Sequence, residues 1–437
     1  LKTASAGNRR TFTFSTWLKL SQLTTARYLF TSWSANNDAG FTYLSLTDGD
    51  KIKFAGYGTT YLETTQLLRD SSAWYHLVLA VDTPNDTANN RCRIYLNGSE
   101  ITSFGTRNNP SQNADLAYNQ NSVDLVLGSN NYGGSKGNYF DGYLAETVWI
   151  DGTQYAASDF GEFDDSGIWK PIDVSGLTFG TNGFYLDYEA SGNLGNDANG
   201  GTDLTEANLT AIDQSTDTCT NNFCLINPLD KYIGGTLATY SEGNTRFSSS
   251  GNSSSNNGTR CNFAVANGKW YWEVKLIQNA FRFGIQDVDA TTQYNSGSNW
   301  QIVGTYAVQN NGAKSINNSE SASAVTTFSN GDTAMMAMDL ENQKLYFGVN
   351  GTWSNSGNPE SGSSGTGSIG DLVDGTTYIP VFSNGHWSQN TIADFNFGNP
   401  AYAISSSNTD GDGYGNFEYA VPSGYYSLNT KNLAEYG

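Results

Sequence analysis

One pattern occurs twice in this chain and constrains its fold more than any other feature. The first copy runs His76-Leu77-Val78-Leu79-Ala80-Val81-Asp82, crosses a polar turn, and continues as Arg93-Ile94-Tyr95-Leu96-Asn97-Gly98. The second runs Ala334-Met335-Met336-Ala337-Met338-Asp339, turns, and continues as Lys344-Leu345-Tyr346-Phe347-Gly348-Val349-Asn350-Gly351. Each is an apolar strand closed by Asp, a turn, and an aromatic strand closed by Asn-Gly. Asn and Gly tolerate positive φ, so the pair favours a type I′ hairpin turn. Two unrelated hairpins would also show such pairs, but a duplicated sandwich explains both copies together.

Other segments carry the same period. Thr11-Phe12-Thr13-Phe14 alternates polar and aromatic residues. In Lys269-Trp270-Tyr271-Trp272-Glu273-Val274-Lys275-Leu276 one face holds Trp, Trp, Val and Leu. The opposite face holds Lys, Tyr, Glu and Lys, so Trp270 and Trp272 are expected in a core and Lys269, Tyr271 and Glu273 nearer solvent. Helical periodicity is nearly absent apart from one turn around Tyr155 to Phe160, which predicts less than roughly a tenth helix. Aromatics at 13% supply real cores, and 48 Gly supply turns. At 437 residues the chain exceeds one ordinary sandwich and suits two. The predicted fold is therefore all-β: two jelly-roll-like antiparallel β-sandwiches in tandem, joined by a loop-rich connector. The first sandwich is expected over 1–170, the connector over 171–230, the second sandwich over 231–400 and a C-terminal extension over 401–437.

The net charge of −20 repels phosphate backbones and anionic membrane surfaces, which argues against nucleic acid as a partner. No run approaches the roughly 20 apolar residues of a membrane span, so no membrane insertion is expected. The start at Leu1 without a Met suggests either a processed chain or one that begins inside a longer sequence, and the end at Gly437 without an obvious terminus favours the second expectation. Of the four cysteines, Cys92 sits in a strand pattern as a buried thiol, and Cys219 and Cys224 are near enough in sequence to bridge a short loop.

Phe12 to Leu20, Trp74-Tyr75-His76-Leu77, Ile94-Tyr95-Leu96-Asn97-Gly98 and Phe140-Asp141-Gly142-Tyr143-Leu144-Ala145-Glu146 resemble the concanavalin A-like, laminin-G-type sandwich. Gly268 to Val274, Phe283-Gly284-Ile285 and Met338-Asp339-Leu340 resemble a SPRY domain in the second half. Leu345 to Gly351, Tyr378-Ile379-Pro380-Val381 and Phe395-Asn396-Phe397-Gly398 continue that match. The connector strings Gly183 to Asp187 and Thr220 to Asp230, with Gly413 to Tyr419 and Leu428 to Leu433, are similar to structural proteins of tailed bacteriophages. That resemblance implies a surface-exposed virion protein of fibre, spike or decoration type, touching other virion proteins and assembling as a homo-oligomer, a trimer above all. A host surface glycan or protein would be its ligand. Capsid decoration or fibre spacing is the alternative role, and a glycan-degrading enzyme the third.

Candidate chemistry is sparse. The nearest approach to a glycosidase carboxylate pair is Glu162-Phe163-Asp164-Asp165, which lacks a third acid and has turn-like surroundings. The two histidines are His76, inside a strand beside Trp74 and Tyr75, and His386, in a loop with Trp387. No catalytic residue is nominated. Ligand contact is assigned to Trp300, Trp353, His386 and Trp387, which stand near Gly, Asn and Ser at strand ends where an aromatic can stay exposed. Asn408, Asp410 and Asp412 followed by Gly413 match the first half of a calcium loop, but Tyr419 stands where the bidentate Glu belongs. Calcium is thus a candidate against a plain Asp/Gly turn, and no other cofactor is expected. The Asn-x-Ser/Thr sequons at Asn97, Asn208, Asn257 and Asn350 suit the composition without implying sugar.

Overall fold

The computed structural model describes residues 5–231, 238–250, 258–279, 281–290, 304–317, 319–384 and 389–437. The chain is all-β, and it divides into two compact units, Leu1–Gln214 and Ser215–Gly437. Among the described residues the one α-helix is Thr430–Tyr436, which begins where the Asn429 side chain accepts the Asn432 N–H at 3.0 Å.

The first unit is a sandwich of two six-stranded sheets. One orders its strands Phe184–Leu186, Gly142–Asp151, Thr11–Leu20, Trp74–Asp82, Cys92–Leu96, Ser99–Glu100. The other runs Leu125–Leu127, Arg27–Trp33, Phe41–Leu46, Lys51–Gly56, Thr60–Leu67, Phe104–Arg107. Alternation sends Phe12, Phe14, Phe30, Leu44, Phe54, Leu79 and Trp149 into the space between the sheets. Phe12 stacks on Trp149 with ring centroids 5.0 Å apart. The outer face of the first sheet is also dry: Val78, Ala80, Val148 and Ile150 pack beneath Phe160, Val174 and Phe179. Residues 155–179 thus form a cover that lies on the sandwich. Within the stretch read as connector, Phe184–Leu186 is an edge strand paired with Thr147–Trp149, and Leu194 and Leu204 are buried in the first unit.

The second unit stacks a seven-stranded sheet on a nine-stranded one. The seven run Ile226–Lys231, Gly258–Cys261, Tyr378–Asn384, Phe281–Asp287, Thr305–Gln309, Lys314–Ile316, Ser319–Ser321. The larger sheet runs Ala238–Ser241, Arg246–Ser249, Thr391–Asn396, Lys269–Gln278, Thr333–Asp339, Lys344–Val349, Thr352–Trp353. Gly370–Asp371 and Tyr426–Ser427 pair off this path. Trp270, Trp272, Val274 and Leu276 fill the core as the alternation predicts.

The opposite face corrects the sequence reading. Tyr271 and Glu273 are 0% exposed, as deeply buried as Trp270 and Trp272 on the other face. The reason is a second cover: Phe417, Tyr419 and Tyr425 of the C-terminal stretch pack on Tyr271, Met335, Ala337 and Tyr346. Glu273 holds that cover down, because its carboxylate accepts the backbone N–H groups of Tyr419 at 2.8 Å and Glu418 at 3.0 Å. The Tyr271 hydroxyl donates to it at 2.9 Å and the Asn396 amide at 3.3 Å. A buried carboxylate needs this many donors to remain tolerable. Residues 401–437 are therefore packed structure of the second unit.

The duplicated hairpin has the same geometry in both units. Asn97 and Gly98 have φ of 48° and 81°, and Asn350 and Gly351 have φ of 48° and 79°. Each Asn side chain accepts a backbone N–H from the first strand of its hairpin, His76 at 2.8 Å and Thr333 at 2.9 Å. The Asn is thus chosen for its αL tolerance and for an amide oxygen that ties the turn to the adjacent strand.

Candidate binding face

Of the residues nominated for ligand contact, Trp300, His386 and Trp387 lie outside the described residues. Trp353 is half-buried, and its ring meets Tyr271 edge-on at 6.4 Å beside the C-terminal cover. The Asn408/Asp410/Asp412 run does not fit a calcium loop. Asp410 is buried, and its Oδ1 accepts the N–H groups of Asp412 at 3.0 Å and Tyr414 at 2.9 Å. Its Oδ2 accepts Ser427 N–H at 2.9 Å, Ser427 Oγ–H at 2.6 Å and Asn432 Nδ2–H at 2.8 Å. Five donors occupy this carboxylate, which leaves it no lone pair to offer a cation. Asn408 turns its amide nitrogen to Ser406 and Glu418 O, and Asp412 accepts the Tyr436 hydroxyl. Among the described residues no group of three or more His, Cys, Asp or Glu side chains converges as a metal site would require.

Glu162 and Asp164 sit on a hairpin rather than across a cleft. Glu162 pairs with Lys170 at 3.3 Å, both partners largely exposed. Asp164 Oδ1 accepts the N–H groups of Ser166 and Ile168, each at 2.9 Å, so it shapes the turn. His76 is a structural ring, 1% exposed and stacked on Trp17 at 4.9 Å. The Trp169 indole N–H donates to its Nδ1 at 2.9 Å, and an indole nitrogen can only donate. The ring proton therefore sits on Nε2, facing Ser15 Oγ at 2.9 Å. Burial pushes the His76 pKa down to about 3, so the ring stays neutral.

An aromatic surface that the sequence reading missed lies on the first unit, on the outward side of the sheet containing Phe41–Leu46. Ile52, Phe54, Leu44 and Leu46 point into the core, so the opposite parity faces out: Phe41, Tyr43 and Ser45 on one strand, Lys51, Lys53 and Ala55 on the next. Tyr28 and Ser45 are in register, as are Ser45 and Lys53, and Lys53 and Glu63. The rings touch in series. Tyr28 to Tyr43 is 5.0 Å between centroids, Tyr43 to Phe41 5.2 Å, Phe41 to Tyr132 5.3 Å, and Tyr132 to Tyr57 6.0 Å. Small residues lie beside them, with Ser45 and Ala55 only 4% and 1% exposed.

Two turns bring the most exposed rings to this face. Tyr57, 47% exposed, sits in the hairpin closed by Gly56 N–H to Thr59 O at 2.8 Å. Asp38 fixes that hairpin by accepting the Gly58 N–H at 2.9 Å. A Cβ on Gly56 would stand 2.6 Å from the same carboxylate, so a side chain there would push Asp38 off the turn. Tyr132, 40% exposed, opens a short turn whose N–H goes to Asn130 Oδ1 at 3.0 Å. The loop is moored to the sheet by the Thr31 hydroxyl, which donates to Ser129 O at 3.0 Å. At one end Lys51 and Glu63 form an ion pair at 3.2 Å. Burial raises the Tyr28 and Tyr43 phenols, and Glu63 raises Tyr43 further, so both remain neutral hydroxyls able to donate and accept. Apolar ring surface bordered by hydroxyls and charged groups suits a ligand that is itself amphipathic, with C–H faces and many hydroxyls.

Residues 1–157 match the family model of the concanavalin A-like lectin/glucanases superfamily, so the first unit carries a domain of that kind. No curated protein matches the chain. Among solved structures, the SPRY domain of human HERC1 matches at 15% identity, over 39% of this chain and 96% of that one, with a TM-score of 0.30. A native heptameric SAP-like pentraxin from Limulus polyphemus matches at 13% identity, over 36% and 70%, with a TM-score of 0.26. The Ruminococcus gnavus IT-sialidase CBM40 bound to alpha2,3 sialyllactose matches at 17% identity, over 32% and 83%, with a TM-score of 0.25. Identities and scores this low carry no functional weight.

Proposed function

We propose that the chain is a non-enzymatic adhesin of a virus particle, which holds a host-surface glycan on the outward aromatic face of its first sandwich. The observation that carries this reading is the chain of touching rings Tyr28, Tyr43, Phe41, Tyr132 and Tyr57 on a sheet whose other face already fills the core. The face gathers rings from two strands and two separate turns, with Phe41 buried at 6%, Tyr28 and Tyr43 half-buried, and Tyr57 and Tyr132 exposed at its rim. Sugar rings stack on such surfaces through their C–H faces, while the Tyr28 and Tyr43 hydroxyls and the Lys51–Glu63 pair can bond sugar hydroxyls. The location on a bacteriophage particle rests on the sequence resemblance of the connector and C-terminal strings.

The test is a glycan array probed with the intact chain, followed by titration of the best ligand against Tyr43→Ala and Tyr132→Ala. Saturable binding that both substitutions weaken, with the fold intact, supports the reading. An array without signal would overturn it and leave a purely structural role in capsid decoration or fibre spacing. Release of reducing ends from a bound polysaccharide would overturn the non-enzymatic part.

A further inference from the structure

The cysteines form an arrangement that their spacing does not suggest. Cys219 and Cys224 are five residues apart in sequence, yet it is Cys224 and Cys261 that share one hydrophobic core, on paired segments of the second unit. Both are 0% exposed in the core of the second unit. Their backbones belong to an antiparallel pair: Ile226 is opposite Cys261, Leu225 N–H donates to Asn262 Oδ1 at 2.8 Å, and Asn262 N–H to Leu225 O at 2.9 Å. Cys224 stands two residues before Ile226, so it shares the core-facing side with Cys261 as its diagonal neighbour. The strand that follows, Ile226–Lys231, is at the edge of its sheet, and its register slips between Ile226 and Lys231. It is weakly laddered where a covalent tie would hold it best.

We infer that Cys224 and Cys261 are a disulfide-forming pair that staples the first strand of the second unit to its neighbour under oxidising conditions. The oxidant is a small-molecule disulfide, RS–SR. One protein thiolate attacks it and expels RS⁻, leaving a mixed disulfide. The second protein thiolate then attacks the protein sulfur of that bond and expels the other RS⁻. Two protein thiols are oxidised, one RS–SR becomes two RSH, and the protons from the cysteines end on the released thiols. Burial holds the Cys261 thiol well above its ordinary pKa, so exchange proceeds through local opening of the edge strand and is slow.

The intact chain should be equilibrated with oxidised and reduced glutathione, acid-quenched, alkylated and digested, and its linked peptides mapped by mass spectrometry. A Cys224–Cys261 link is expected, together with a higher urea midpoint for the second unit when oxidised than when reduced. Cys261→Ala should abolish that difference. A Cys219–Cys224 link, or no internal link even after refolding from urea in the oxidising buffer, would overturn the inference.

Discussion

In the first unit Trp169 lies on Gly98 and gives its indole N–H to the buried His76; in the second, Tyr419 lies on Gly351 and gives its backbone N–H to the buried Glu273. A Cβ on Gly98 would stand 2.5 Å from the Trp169 ring, and one on Gly351 2.9 Å from the Tyr419 ring. The two sandwiches thus use the same Asn-Gly turn and seat an aromatic from a covering segment on the same glycine. They differ in the polar group that fastens the cover. A neutral imidazole suffices where the cover brings one side-chain donor. A carboxylate with four donors is used where it brings two backbone N–H groups that would otherwise be stranded away from water.

The largest effect should come from removing the second cover altogether. Deleting residues 401–437 uncovers Tyr271, Met335, Ala337 and Tyr346, and the second unit should lose its cooperative urea transition while the first keeps its own. If the second unit still unfolds sharply, the cover is ornamental and the comparison fails.

Next in size is the fastening group itself. Glu273→Ala strands two backbone donors and should cost about 3 kcal/mol or more, since hydrogen bonds to charged groups contribute about 1.5–3 kcal/mol each. Chemical denaturation monitored in the second unit measures this. A loss below about 1 kcal/mol would mean that ring packing alone holds the segment.

The two anchors should also respond oppositely to acid. His76 has its pKa pushed down to about 3 from 6.5, so between these values the unfolded state binds a proton that the native state refuses. Its contribution is complete above about pH 6.5 and is lost as pH falls toward 3. Glu273 is raised by burial above its ordinary 4.5, so its contribution has the opposite sign: it is largest in acid and declines as pH rises through the raised value. Urea midpoints of wild type and His76→Gln across this range isolate the imidazole part. Parallel pH profiles for the two proteins would show that His76 does not titrate on unfolding.

A smaller cost is expected at the shared glycine. Gly98→Ala and Gly351→Ala place a methyl against Trp169 and Tyr419 at positive φ, and each should lose about 1–3 kcal/mol. Unequal losses would show which cover yields more easily.

The smallest effect concerns the open aromatic face. Tyr43→Ala should weaken glycan binding about tenfold, roughly 1.4 kcal/mol, with little change in folding. Trp353→Ala should leave binding unchanged, because that ring packs beside the second cover. The reverse pattern in calorimetry would return the ligand to the second unit.

Alternation and turn chemistry are local, and so the all-β class, the two Asn-Gly hairpins and the core parity of Trp270 and Trp272 could be read from neighbouring residues alone. On the candidate binding face, the parity of Phe41 and Tyr43 against Leu44 and Leu46 was also legible, as two aromatics on the side opposite to the inter-sheet core. What the local pattern could not carry was anything contributed from far along the chain. Tyr57 and Tyr132 reach Phe41 and Tyr43 through separate loops, and Cys261 reaches Cys224 across a strand pair. Tyr271 and Glu273 obey the solvent-facing parity of their strand, and only the arrival of Glu418 and Tyr419 makes that side an interior. A period of two says which residues share a face. Whether that face meets water, a cover or a ligand is set by other segments of the chain, 146 residues away in the case of Tyr419 and Glu273, because burial is a property of the assembled layers and not of the strand.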